Sequence, residues 1–155
     1  MAIDEEDYLL AEKAYHVLAD QGQRAAHDRR IGRSVHPAWA AERLASARRC
    51  RRDGMRHLAR GRPEASLAQF RRATVLSPED PASRSYLALL LARTGASLHE
   101  AARHGEYAVG RNPHEPVFLF NLAAVYALAG LRTRAFRIRL RAWRHLLRRI
   151  ICRRT

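Results

Sequence analysis

The chain has 155 residues, 47% apolar and 28% charged, a composition that supports a folded domain with a buried core and excludes a disordered chain. Its 29 basic residues, all Arg except Lys13, outnumber 15 acidic ones for a formal charge of +14. The most apolar stretch, VFLFNLAAVYALAGL at 117–131, is too short to span a bilayer comfortably and contains Asn121, so it reads as a buried helix.

Apolar residues recur at three- and four-residue spacing along every long segment and nowhere alternate as in a strand, so the fold is expected to be all-α. Helices are predicted near 4–19, 22–30, 37–60, 63–76, 79–94, 98–111, 115–129 and 131–152, with Gly and Pro between them. The first carries a stripe of Tyr8, Ala11, Tyr15 and Leu18 with Ala14 and Val17 beside it. The stretch AYHVLAD…R..HD..IG, through Ala14, Tyr15, Val17, Leu18, Asp20, Arg24, Asp28 and Gly32, resembles the third and fourth helices of the J domain, with His27 where tyrosine is usual. In that family, stimulation of the heat-shock ATPase depends on a His-Pro-Asp loop before the third helix. Here that helix begins near Asp4, and His36-Pro37 follows the fourth helix and continues into Ala38. Residues 1–32 are therefore expected to be J-like helices without J-domain activity, either a remnant serving as an N-terminal cap or the end of a domain whose start is missing. Residues 33–46 are read as a connector.

Beyond it a period appears. LSPEDP at 76–81 and RNPHEP at 111–116 are the same turn, each preceded by a small residue, Ala73 or Ala108, five places before its central proline. Gly61, Gly95 and Gly130 punctuate the chain in the same phase. Two helices in about 34 residues is the tetratricopeptide signature, and residues 47–149 resemble three such repeats, 47–80, 81–115 and 116–149, followed by a basic tail at 150–155. The matching residues are Gly54, Gly61, Phe70, Ala73 and Pro78, then Leu87, Ala88, Gly95, Ala101, Ala108 and Pro113, then Asn121, Leu122, Ala123, Tyr126, Gly130, Ala135 and Ala142. Gly105 and Arg139 stand where an aromatic is usual. The resemblance implies a right-handed helical-hairpin solenoid of about three repeats with an N-terminal helical cap.

Nothing in the sequence points to an enzyme. The eight His are scattered without metal-ligand spacing, Cys50 and Cys152 have none either, and no phosphate loop or nucleophile elbow occurs. No catalytic residue, metal, cofactor or small-molecule substrate is expected, and unpaired cysteines fit a cytoplasmic setting. In tetratricopeptide arrays the first helix of each pair lines a groove that holds a peptide. The resemblance places Arg48, Arg51, Arg52 and Met55 at one end of it, Ser85, Tyr86, Leu89 and Arg93 next, and Phe120, Asn121 and Ala124 beyond. Such a groove suits a protein partner with acids beside apolar anchors. The carboxylate clamp of chaperone-binding members is not present, since Met55, Tyr86, Val117 and Asn121 occupy four of its five positions.

Residues 131–155 carry ten Arg and no acid, whereas residues 1–20 carry six acids against Lys13. That asymmetry predicts an acidic or polyanionic partner for the C-terminal end, or contact between the two ends. Within it Phe136, Leu140, Trp143, Leu147 and Ile150 form one stripe, and Arg137, Arg141, Arg144 and Arg148 run beside it. The economical expectation is that the stripe packs on the 115–129 helix and the Arg are its solvated face. The alternative is Arg-driven binding of nucleic acid or an anionic membrane surface. Ile150, Ile151 and Cys152 would cover an exposed end or seed a dimer.

Overall fold

Proline and glycine set the helix boundaries. A computed structural model, which describes residues 37–152, contains α1 (Pro37–Ala59), α2 (Pro63–Leu76), α3 (Pro81–Arg93), α4 (Leu98–Arg111), α5 (Pro116–Leu128) and α6 (Arg132–Cys152). Among the described residues there is no strand, and the chain is all-α there. Four of these helices begin on proline, whose fixed φ suits the first turn and whose missing N–H is not needed there. The J-like helices expected at 4–32 lie outside the described residues. The helices expected at 37–60 and 131–152 are present as α1 and α6, so α1 takes in the later part of the connector read at 33–46 and α6 reaches Cys152 of the basic tail. Glu42 begins a compact unit that takes in the rest of the chain.

The odd-numbered helices terminate alike. Gly61, Gly95 and Gly130 adopt φ of 67°, 70° and 78°, left-handed values that cost glycine little and other residues more. The N–H after each glycine turns back onto the helix: Arg62 donates to the His57 carbonyl, Ala96 to Leu91 and Leu131 to Tyr126. The turns after α2 and α4 also repeat. Ser77 and Asn112 donate to the carbonyls of Ala73 and Ala108, and Asp80 and Glu115 donate to those of Ser77 and Asn112. Asp80 caps α3 by accepting from the Ala82 and Ser83 amides, which is why the helix starts at Pro81 and not at Glu79.

Packing follows the same phase. On α1, Gly54 leaves room for the Phe70 ring of α2, and a Cβ there would lie 2.8 Å from Phe70 Cε2. The buried Ser66 hydroxyl donates to the Gly54 carbonyl at 2.8 Å, closing the α1–α2 pair. α3 packs on α2, α4 and α5, and α5 packs on α3, α4 and α6. Among the described residues the buried apolar side chains gather in two adjoining clusters. Leu67, Phe70, Leu87, Leu90, Leu91, Ala101 and Val125 form the first, spanning α2 to α5. Leu122, Tyr126 and Ala135 form the second, with Ala102, Val109 and Ile138 against it. Removing this apolar surface from water, at roughly 25 cal/mol per Å², is what holds short helices that are marginal alone.

Candidate functional site

The spacing of α1 and α3 brings four residues singled out from the sequence to one opening. Arg51, Arg52 and Met55 on α1 and Tyr86 on α3 line a cavity of about 520 Å³, with Arg56 and Ala82 completing it. Its wall is held in place from behind. The Tyr86 ring stacks on buried Phe70, centroids 5.3 Å apart. Arg51 Nη1 donates to Asp80 Oδ2 at 3.2 Å, so the α3 cap also orients an α1 guanidinium. Met55 is 39% exposed and offers a polarisable apolar contact beside three guanidinium groups. Arg56 Nη1 in turn donates to Asp53 Oδ1 at 3.0 Å, so two of the three guanidinium groups already hold a carboxylate of the chain. Arg56 and Ala82 were missed by the sequence reading. Arg56 lies one helical turn from Arg52, and that spacing is the signal that points to it.

The remaining groove residues do not join this cavity. Arg48 is exposed and lines a neighbouring one of about 340 Å³ with Leu44, Ser77 and Glu79. Arg93 is exposed at the end of α3. The assignment of Ser85, Leu89 and Asn121 to a ligand-facing surface is corrected: all three are buried. Asn121 Nδ2 donates to Ser85 Oγ at 3.0 Å, a polar tie between α3 and α5. Ala124 is half-buried. Phe120 turns toward α6, edge-to-face with Trp143 at 5.7 Å, and does not reach the cavity of Tyr86.

The orientation of α6 differs from the expectation. The face that packs on α5 is Ala135, Ile138 and Ala142, and the stripe of Phe136, Leu140, Trp143, Leu147 and Ile150 is exposed. Small side chains win the contact because they let the two backbones approach, as Ala101 and Ala108 do for α4. Arg137, Arg141, Arg144 and Arg148 are all exposed. Arg141 is nonetheless engaged with the Pro113 carbonyl at 3.2 Å, and Arg149 pairs with Glu115 at 3.0 Å.

A second cavity of about 520 Å³, with no motif to announce it, lies among Arg84, Glu100, Arg103, His104, Glu106 and Tyr107. Here Glu79 accepts from the Tyr107 hydroxyl and from Arg111, and the Arg84 guanidinium lies 3.9 Å over the Tyr107 ring. The Tyr107 hydrogen bond holds the Glu79 carboxyl below its usual range, with Arg111 and Arg84 adding to it. Burial pushes the His104 imidazole down, and Arg84 and Arg103 push it further, against the opposing pull of Glu100. The Tyr126 phenol, partly buried and donating to Glu106 at 2.6 Å, is pushed up to about 12.

Among the described residues no group of His, Cys, Asp and Glu is placed to hold a metal ion, and no helix is long and apolar enough to cross a membrane. Scanned against known protein families the chain matches none, and no curated protein matches it.

Proposed function

We propose that the described hairpins are a short tetratricopeptide-like array, a right-handed solenoid of about three repeats, and that it works as a non-catalytic cytoplasmic docking module. The recurrent glycine ends and the matching turns after α2 and α4 support the repeat reading, as does the packing of each odd helix on the pair before it. The cavity between α1 and α3 would hold an extended segment of a protein partner bearing carboxylates next to an aromatic or aliphatic anchor. The observation that carries this is the convergence of Arg51, Arg52, Arg56, Met55 and Tyr86 on one open cavity. The resemblance of the sequence at 4–32 to part of a J domain supports, in this reading, a role alongside chaperone partners.

The test is fluorescence anisotropy of a labelled, amidated peptide alternating Glu with Phe. The reading expects saturable binding that weakens about tenfold in Arg52→Glu, the loss of roughly one charge-assisted contact. A Lys-for-Glu peptide should not bind. Equal affinity of the two peptides, or indifference to Arg52→Glu, would refute it.

A further inference from the structure

Among the described residues, the outer face of the last hairpin carries a row of large apolar side chains that no helix covers. Phe136, Leu140, Trp143, Leu147 and Ile150 are between 44% and 68% exposed along α6. On the adjoining α5, Val117 and Leu128 are 41% and 52% exposed, and the Phe120–Trp143 edge-to-face contact joins the two helices. Together these side chains make one exposed apolar surface across the two helices.

The same chain shows what such a surface receives. α4 and α6 begin 34 residues apart, at Leu98 and Arg132, and their buried alanines correspond, Ala101 with Ala135 and Ala108 with Ala142. In that register Phe136, Leu140 and Trp143 stand where α4 has Ala102, Glu106 and Val109. Those α4 residues meet the helix that follows: Ala102 and Val109 pack against the Leu122 and Tyr126 cluster, and Glu106 accepts from the Tyr126 hydroxyl. The α6 stripe is thus in the position that accepts the next helix, and it offers larger apolar side chains.

One position sets the chemistry of the occupant. Gly105 on α4 lets Leu122 come so near that a Cβ would lie 2.8 Å from Leu122 Cδ1. The equivalent residue on α6 is Arg139, which is exposed. An incoming helix must stand farther out than α5 does and meet a guanidinium on one border, while Arg137 and Arg144 line the other. α6 contains no acidic residue, so a second α6 would be repelled. A phosphate backbone would leave the apolar stripe in water.

We infer that the α5–α6 end face is a docking seat for one amphipathic helix of another protein, with an apolar ridge and carboxylates along both flanks. It is a separate surface from the α1–α3 cavity, and neither depends on the other. Trp143 reports on it directly, because the chain has two Trp and Trp39→Phe leaves Trp143 alone. The probe is a helical peptide with a Leu ridge and Glu flanks, titrated into the Trp39→Phe protein. The expected result is a saturable blue shift of Trp143 emission, weakened about tenfold in Arg139→Glu and unchanged in Arg52→Glu. A peptide with Lys flanks should give none. Leu140→Asp, at an exposed site, should abolish the shift while circular dichroism shows the helices intact. Equal shifts with Glu and Lys flanks, indifference to Arg139→Glu, or a shift seen with phosphatidylserine vesicles or duplex DNA but not with the Glu peptide would overturn the proposal.

Discussion

His104 and His145 stand among more cations than anions, and their protonation works against the fold. Burial lowers His104, helped by Arg84 and Arg103 and opposed by Glu100. For His145, burial again comes first, then His114, whose ring lies edge-on at 4.8 Å, then Arg141, Arg148 and Arg149. A histidine whose folded pKa is below the ordinary value of about 6.5 binds its proton more readily in the unfolded chain. Stability is therefore expected to hold above about pH 6.5 and to fall as pH drops through that value toward the folded pKa values. Urea midpoints should be lower at about pH 5.5 than at about pH 7.5, with a smaller drop in His104→Gln. Glu79, held below its usual range, loses its contribution only at lower pH, so the two effects separate. Invariance of the midpoint between those two pH values would contradict this. The repeat resemblance singled out Gly54 and Phe70 separately, and the fold brings them together, a Cβ at Gly54 falling 2.8 Å from the Phe70 ring. The sequence was silent on the Glu79–Tyr107–Arg111 cluster, because those residues come from a turn and a helix end that only the folded hairpins bring together.

At the scale of elements, the positions of the six described helices were readable to within about two residues because proline and glycine have backbone reasons to stand where they do. The packed face of α6 was not. Periodicity finds every stripe on a helix but does not say which one faces inward when two are available. Large apolar side chains at Phe136, Leu140, Trp143, Leu147 and Ile150 suggested one answer, and the fold uses the other, through Ala135 and Ala142. The repeat phase held the clue, since these alanines correspond to Ala101 and Ala108. The two orientations predict opposite mutational patterns. Ala142→Leu, at a site with 0% exposure, should cost about 1–3 kcal/mol in urea unfolding through overpacking. Leu147→Ser, at 52% exposure, should stay within about 0.5 kcal/mol of the parent. The reverse ranking would mean that the stripe is the packed face.

At the scale of the molecule, the described helices pack on their neighbours, α3 on α2, α4 and α5 and α5 on α3, α4 and α6, with apolar clusters between them. A furrow running from Arg51 past Tyr86 to Phe120 was expected, and the structure divides it: Arg51 and Tyr86 share a cavity, while Phe120 belongs with Trp143. The reason is that the buried Ser85–Asn121 hydrogen bond draws α5 against α3, so the polar residues that suggested a ligand face serve the interior. The proposed peptide site is the opening between α1 and α3. Its most direct test uses the sparse methionine content, since the chain has only Met1 and Met55 and Met55 lines the cavity. In a spectrum of methyl-labelled methionine, addition of the Glu/Phe peptide should shift the Met55 signal in a saturable way, leave Met1 in place, and lose the effect in Arg52→Glu. A Met55 signal that does not move while the peptide demonstrably binds would place the docking site elsewhere and contradict the proposed function.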